Sequence, residues 1–224
     1  MPDPTRELTF LLAGPERRLL RWIAAHLPRW VTSDQLTTLG VVAATAVGIA
    51  YALSGNHHGW LWVASAMLIV QWFGDSLDGT LARVRHTERP RYGYYLDHVV
   101  DAYATAVIGL GLGLSPYVTF GIALGLVVVY LVLSINVYLE STVFGAFRLA
   151  YGSLGPTEMR LILIAINTGL AVQSELLGPG ALRVRIVADA LFAAAGLAML
   201  AMLAVRFARN LRALAQLEPP KLLQ

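Results

Sequence analysis

Hydrophobic positions run in long blocks along this chain, separated by short polar stretches in which arginines gather. Six blocks, at roughly 36–53, 59–83, 93–114, 117–139, 157–174 and 184–206, are long enough to cross a bilayer. A hydrocarbon core of about 30 Å needs about 20 apolar helical residues. Ahead of the first block, residues 16–31 set Arg17, Arg21 and Arg29 on one face and Leu19, Leu20, Ile23, Leu27 and Trp30 on the other. That pattern predicts a basic amphipathic helix at the membrane interface. The expected fold is therefore an all-α integral membrane protein, with six transmembrane helices preceded by an amphipathic interfacial helix. Residues 1–32 form the N-terminal segment, 33–210 the six-helix membrane domain and 211–224 a tail frayed around Glu218-Pro-Pro-Lys221.

Local signals refine this plan. Ser33 or Asp34 is placed to cap the first spanning helix. Trp60 and Trp62 mark the outer end of the second block, and Tyr92, Tyr94 and Tyr95 the inner end of the third, as aromatic belts do. Gly109-x3-Gly113 and Gly121-x3-Gly125 permit close helix approach, either within the chain or in a homodimer. His57 and His58 lie in an outer loop and read as interfacial polarity rather than a metal pair. Leu8–Ala13 is too short to read as a signal peptide.

Composition agrees with a membrane protein: of 224 residues 57% are hydrophobic, and the mean hydropathy is +0.61. The net charge of +3 does not point to nucleic acid. Arg17, Arg18, Arg21 and Arg29 precede the first block, Arg83, Arg85, Arg89 and Arg91 sit between the second and third, and Arg148 and Arg160 between the fourth and fifth. Arg206, Arg209, Arg212 and Lys221 follow the last, whereas the intervening loops hold only Arg183 and Arg185. This positive-inside asymmetry puts both termini and the 83–93 loop on the cytoplasmic side of a cell's inner or plasma membrane. The same charges attract anionic lipid. With no cysteine, disulfides and zinc-thiolate sites are excluded.

Against this greasy background stand Asp75, Asp78, Asp97 and Asp101. At mid-membrane each costs roughly 2.5–3.5 kcal/mol, so such a cluster persists only when something cationic neutralises it. Asp75 and Asp78 are three apart on one helix, and Asp97 and Asp101 four apart on the next, so each pair shares a face. An antiparallel hairpin would bring all four together. Oxygen ligands without Cys or His suit Mg²⁺ or Mn²⁺.

The pattern Asp-x2-Asp-Gly-x2-Ala-Arg, nine residues, then Gly-x3-Asp-x3-Asp resembles the signature of the CDP-alcohol phosphotransferase family. Asp75, Asp78, Gly79, Ala82, Arg83, Gly93, Asp97 and Asp101 fill its fixed positions. The resemblance implies a transferase of phospholipid biosynthesis. It would move a phosphatidyl or phosphoalcohol group from a CDP-linked lipid or CDP-alcohol to an alcohol acceptor, releasing CMP. It further implies two Mg²⁺ or Mn²⁺ ions on Asp75, Asp78 and Asp97, with Asp101 sharing an ion and serving as general base. Asp75, Gly79, Ala82, Arg83 and Gly93 would bind the CDP and its phosphates, the small residues leaving room and Arg83 taking phosphate oxygens.

The stretch from Gly145 to Arg160 resembles the Arg-x3-Gly-x4-Thr-Glu run of the aminoalcohol branch, and equally reads as a helix start with Pro156, Thr157 and Glu158 in its first turn. Glu140, Arg148, Glu158 and Arg160 are the expected acceptor-facing groups. Ser33-Asp34 departs from the family's Pro-Asn, so no ligand role passes to Asp34. Phosphatidylinositol-phosphate or phosphatidylglycerophosphate synthesis is the alternative within the family. A cation or proton transporter using the acids as its path is the rival of another class, although the paired, broken helices usual in transporters are not visible.

Overall fold

A computed structural model describes residues 12–144, 155–177 and 181–218, and every described secondary-structure element is helical. The helices are α1 (Ala13–His26), α2 (Ser33–Leu53), α3 (Trp60–Arg85), α4 (Pro90–Leu114), α5 (Phe120–Phe144), α6 (Pro156–Leu177) and α7 (Ala181–Leu217). The stretches Ser33–Leu53, Phe120–Phe144 and Arg183–Leu217 are by length and composition alone fit to cross a membrane. α3, α4 and α6 are comparably long, at 26, 25 and 22 residues. α7 has 37 residues, about 55 Å at 1.5 Å per residue, so it outruns the predicted span and stays helical past Arg212.

The first helix is shorter than predicted. Leu27 precedes Pro28, whose ring disfavours helical backbone in the residue before it, and Leu27 adopts φ −66°, ψ 138°. The helix accordingly ends at His26. Of its expected apolar face, Leu20 packs with Leu36, Leu77 and Leu81, joined by Ile23 and Leu27. Leu19, Trp22 and Trp30 stay exposed. Arg85, at the end of α3, donates to the carbonyls of Leu27 (3.0 Å), Pro28 (2.9 Å) and Val31 (2.5 Å) and so ties the connecting turn to the bundle.

The cap of α2 is Thr32, not Ser33 or Asp34. Its hydroxyl accepts the Gln35 N–H at 3.2 Å, and the Gln35 side chain accepts the Thr32 N–H at 2.9 Å, a reciprocal capping box. Asp34 turns outward instead and accepts from Arg89 at 2.5 Å. This hydrogen bond raises the Arg89 pKa further, but both side chains are about half exposed (54% and 50%), where ion pairs contribute little.

α2 is the middle of the bundle. It packs along both α3 and α4; α6 lies on α3, and α5 lies between α4 and α7. Two backbone-to-backbone crossings fix it. A Cβ on Gly74 of α3 would fall 2.6 Å from the nitrogen of Gly40 and the carbonyl oxygen of Leu36. A Cβ on Gly111 of α4 would fall 2.2 Å from the carbonyl oxygen of Gly48. Only glycine lets the helices approach so closely. Of the two glycine pairs singled out in sequence, Gly109 and Gly113 pack within the chain against Val127 and against Ala123 and Phe120, whereas Gly121 and Gly125 face open space.

The apolar core gathers Val47, Tyr51, Leu61, Leu68, Val118 and Ala171. Inside it Asn167 of α6 donates to Tyr51 Oη (3.0 Å) and Ser65 Oγ (3.2 Å), and Tyr51 donates back to Asn167 Oδ1 (3.2 Å). His57 and His58 stack with centroids 4.8 Å apart, and His57 Nδ1 accepts from the Gly59 N–H at the start of α3.

Candidate active site

The loop 86–89 turns the chain from α3 back into α4. Its first residue, His86, is left-handed (φ 55°, ψ 42°) and closes α3, with the Thr87 N–H bonded to the Ala82 carbonyl at 3.0 Å. Pro90 then starts α4 at its first position. Because α2 packs against both α3 and α4, these two helices meet chiefly through it, and the space beside α2 is lined by acids from both.

One carboxylate oxygen each from Asp75, Asp97 and Asp101 lies within 4.8 Å of the others, and all three residues are half-buried. In octahedral Mg²⁺ coordination, bonds of about 2.0–2.1 Å put opposed oxygens roughly 4.2 Å apart. Adjacent oxygens in that geometry stand only roughly 2.9 Å apart, so the trio would draw together to hold such an ion, and its all-oxygen chemistry suits Mg²⁺ or Mn²⁺.

Asp78, the fourth predicted ligand, is not part of the trio, although the charges of Asp75 and Asp97 bear on it. Its Oδ2 accepts from Thr37 of α2 at 2.6 Å and its Oδ1 from the Gly79 N–H at 2.5 Å. These bonds fix its orientation beside the cluster. At Gly79 a Cβ would meet the Arg83 guanidinium, at 3.4 Å, rather than the backbone of another helix. Arg83 folds back along α3, its Nη2 donating to Thr80 Oγ1 at 3.1 Å. Ala82 is half-buried one turn beyond Asp78, and Gly93 is exposed with nothing near its missing side chain.

The four acceptor candidates separate. Arg160 reaches the acids from α6, with Nη2 2.5 Å from Asp75 Oδ2 and Nε donating to Gln71 Oε1 at 2.7 Å. Glu140 is instead engaged between α5 and α7 by Arg206, Asn210 and Asn136. Glu158 is 7% exposed and accepts the N–H groups of Leu12 and Gly155, both at 2.9 Å. Nearby, Glu16 accepts from Trp72 (2.7 Å) and Thr157 (2.6 Å), so these acids fasten α1 to α3 and α6. Arg148 lies outside the described residues.

Several neighbours of the acids carry no local sequence signal. Gly74 and Gln71 stand beside Asp75 on α3, and Thr37 orients Asp78 from another helix. Next to Asp97, His98 is sandwiched between Tyr94 and Tyr138 with ring centroids 4.1 and 4.2 Å away, and its Nδ1 is 3.8 Å from Asp97 Oδ2. Tyr94 Oη meets Ser141 Oγ at 3.1 Å, which joins α4 to α5 here.

Comparison with known proteins bears on what this cluster does. The family model described as CDP-alcohol phosphatidyltransferase matches residues 30–208. The chain is 26% identical over 153 residues to cholinephosphotransferase 1 of Danio rerio, covering 64% of this chain and 39% of that protein. It is 35% identical over 92 residues to phosphatidylinositol phosphate synthase of Cutibacterium acnes, covering 40% of this chain and 41% of that protein. The matched stretches thus span about two fifths of the length of these relatives.

Proposed function

Because the chain belongs to the CDP-alcohol phosphatidyltransferase family, we propose that it is a membrane transferase moving a phosphatidyl or phosphoalcohol group from a CDP-linked donor to an alcohol hydroxyl. CMP leaves, and the product is a phospholipid. The observation that carries this reading is the convergence of Asp75, Asp97 and Asp101 from two helices to within 4.8 Å. A cation or proton path explains buried acids but not the small residues Gly79 and Ala82 beside them.

Asp75, Asp97 and Asp101, with Asp78 beside them, would hold one or two Mg²⁺ or Mn²⁺ ions. Bound there, the metal would supply charge neutralisation for the diphosphate and for the oxygen that leaves with CMP. The protein's own groups do the rest. Gly79 and Ala82 admit the nucleotide against α3, and Arg83 takes phosphate oxygens with its planar fork. Asp101 accepts the proton of the acceptor hydroxyl as the oxygen attacks phosphorus, and the helices hold both reactants in line. No covalent intermediate with the chain is needed.

The family resemblance implies one of two donors, CDP-choline or CDP-diacylglycerol. Arg160, a cation aimed into the cluster, favours an acceptor that carries its own phosphate, and so supports the phosphatidylinositol-phosphate or phosphatidylglycerophosphate alternative. The deciding assay incubates purified protein with CDP-diacylglycerol or CDP-choline, alone and with inositol phosphate, glycerol phosphate or diacylglycerol, and monitors CMP. We expect release with one donor–acceptor pair and its loss in excess chelator. No CMP from any pair, or full activity under chelation, would overturn the reading.

The same proposal puts six helices, α2 to α7, across the membrane, with α1 at the interface and the termini and acids toward the cytoplasm. Single cysteines are simple to place in a chain that has none. A cysteine at position 88 should resist impermeant maleimide added outside intact cells, whereas one at position 57 should react. The opposite labelling would invert the topology.

A further inference from the structure

Asp75 is claimed twice. It belongs to the carboxylate trio, and its Oδ2 also accepts from Arg160 at 2.5 Å. The arginine and aspartate side chains are 15% and 18% exposed, so water screens the pair weakly. The guanidinium is also anchored elsewhere: Nε donates to Gln71 Oε1 at 2.7 Å, and Gln71 is 4% exposed, one helical turn before Asp75. A divalent ion on the trio and a guanidinium on Asp75 compete for the same oxygens, and two cations so close repel each other.

We infer that Arg160 is an exchangeable cation. It neutralises Asp75 when no divalent ion is bound, gives up that carboxylate when one binds, and then donates to a phosphate oxygen of the substrate. The planar fork suits carboxylate and phosphate alike. The bond from Nε to Gln71 keeps the side chain at the site while its terminal nitrogens change partner. Ion and phosphate ligand then bind cooperatively, because each favours the arrangement in which Arg160 has left Asp75. This inference rests on reading the trio as a divalent-ion site.

The test is Mn²⁺ titration of the full chain in lipid nanodiscs, following free Mn²⁺ by electron paramagnetic resonance. Wild type, Arg160→Gln and Gln71→Leu are compared with Mn²⁺ alone, with CDP-choline and with inositol phosphate. Arg160→Gln should bind Mn²⁺ alone about tenfold more tightly than wild type, the scale on which a ligand's partners shift metal affinity. Gln71→Leu, which keeps both charges and only frees the arginine, should tighten it less. In wild type a phosphate ligand should strengthen Mn²⁺ binding, and in Arg160→Gln that coupling should shrink. Coupling to CDP-choline assigns the freed guanidinium to the donor, and coupling to inositol phosphate assigns it to the acceptor. Equal or weaker Mn²⁺ binding by both variants, or no coupling to either ligand in wild type, would overturn the exchange. Failure of wild type to bind Mn²⁺ at all would instead remove the ion site beneath it.

Discussion

Asp101→Asn should lower CMP release by about 10²–10⁴-fold, the contribution of a positioned general base, while nucleotide and metal still bind. The amide keeps the shape of the side chain and one oxygen to face the ion, but it cannot take a proton. Asp97→Asn should behave differently. Asp97 lies one turn earlier on α4, about 6 Å along the axis, and its oxygen also belongs to the trio. Losing its charge should weaken metal and nucleotide together, since the diphosphate then meets uncompensated carboxylates. Calorimetric titration of each variant with a CDP-alcohol and Mg²⁺, beside the CMP assay, separates the two. Substantial turnover in Asp101→Asn, or a loss of nucleotide binding as deep as in Asp97→Asn, would make Asp101 a ligand and nothing more.

The second large effect is expected at a residue with no functional group. Gly74→Ala would place a methyl 2.6 Å from the Gly40 nitrogen and the Leu36 carbonyl oxygen, and 2.9 Å from the Gly40 Cα. All three are backbone atoms, so relief requires α2 and α3 to separate. Overpacking of this kind costs about 1–3 kcal/mol. Asp75 is the next residue, and a misplacement of about 1 Å in a site that works by positioning costs on the order of 10²-fold in rate. The variant should therefore lose both thermal stability and turnover. Gly125→Ala, where a Cβ meets nothing within 4 Å, should change neither measurably. Equal melting temperatures and rates for the two variants would contradict the crossing.

What could be read in the sequence was whatever is local. Acids at offsets of three and four on greasy helices, and the small residues between them, lie within 27 positions, and their spacing alone puts them on shared faces. Relations between distant helices were out of reach. Nothing near Asp78 says that its oxygen belongs to Thr37, 41 residues away. Nothing near Glu140 announces Arg206, 66 residues on; polar groups at the edges of apolar blocks look alike until the helices are packed. Gly40 and Gly74 are silent in the sequence for a related reason. A lone glycine in an apolar helix has no period to mark it, and only the crossing gives it meaning. The end of α1 is marked in the sequence: Pro28 stands inside the amphipathic pattern, and its effect on Leu27 outweighs the continuing periodicity.

The bonds of Asn167 to Tyr51 and Ser65 have a consequence for the register of α6. Apolar helix surfaces can slide past one another by a turn at modest cost, because one leucine contact replaces another. A buried amide cannot follow, since about 5.4 Å of sliding would leave its polar atoms facing hydrocarbon. Arg160 lies seven residues earlier on the same helix, two turns away on nearly the same face. Asn167 therefore acts as an index mark: where it is seated, the guanidinium arrives at Asp75. An apolar replacement such as Asn167→Leu would leave a well-packed, inserted bundle whose sixth helix has lost its stop. Its defect would be a mixture of alignments rather than unfolding.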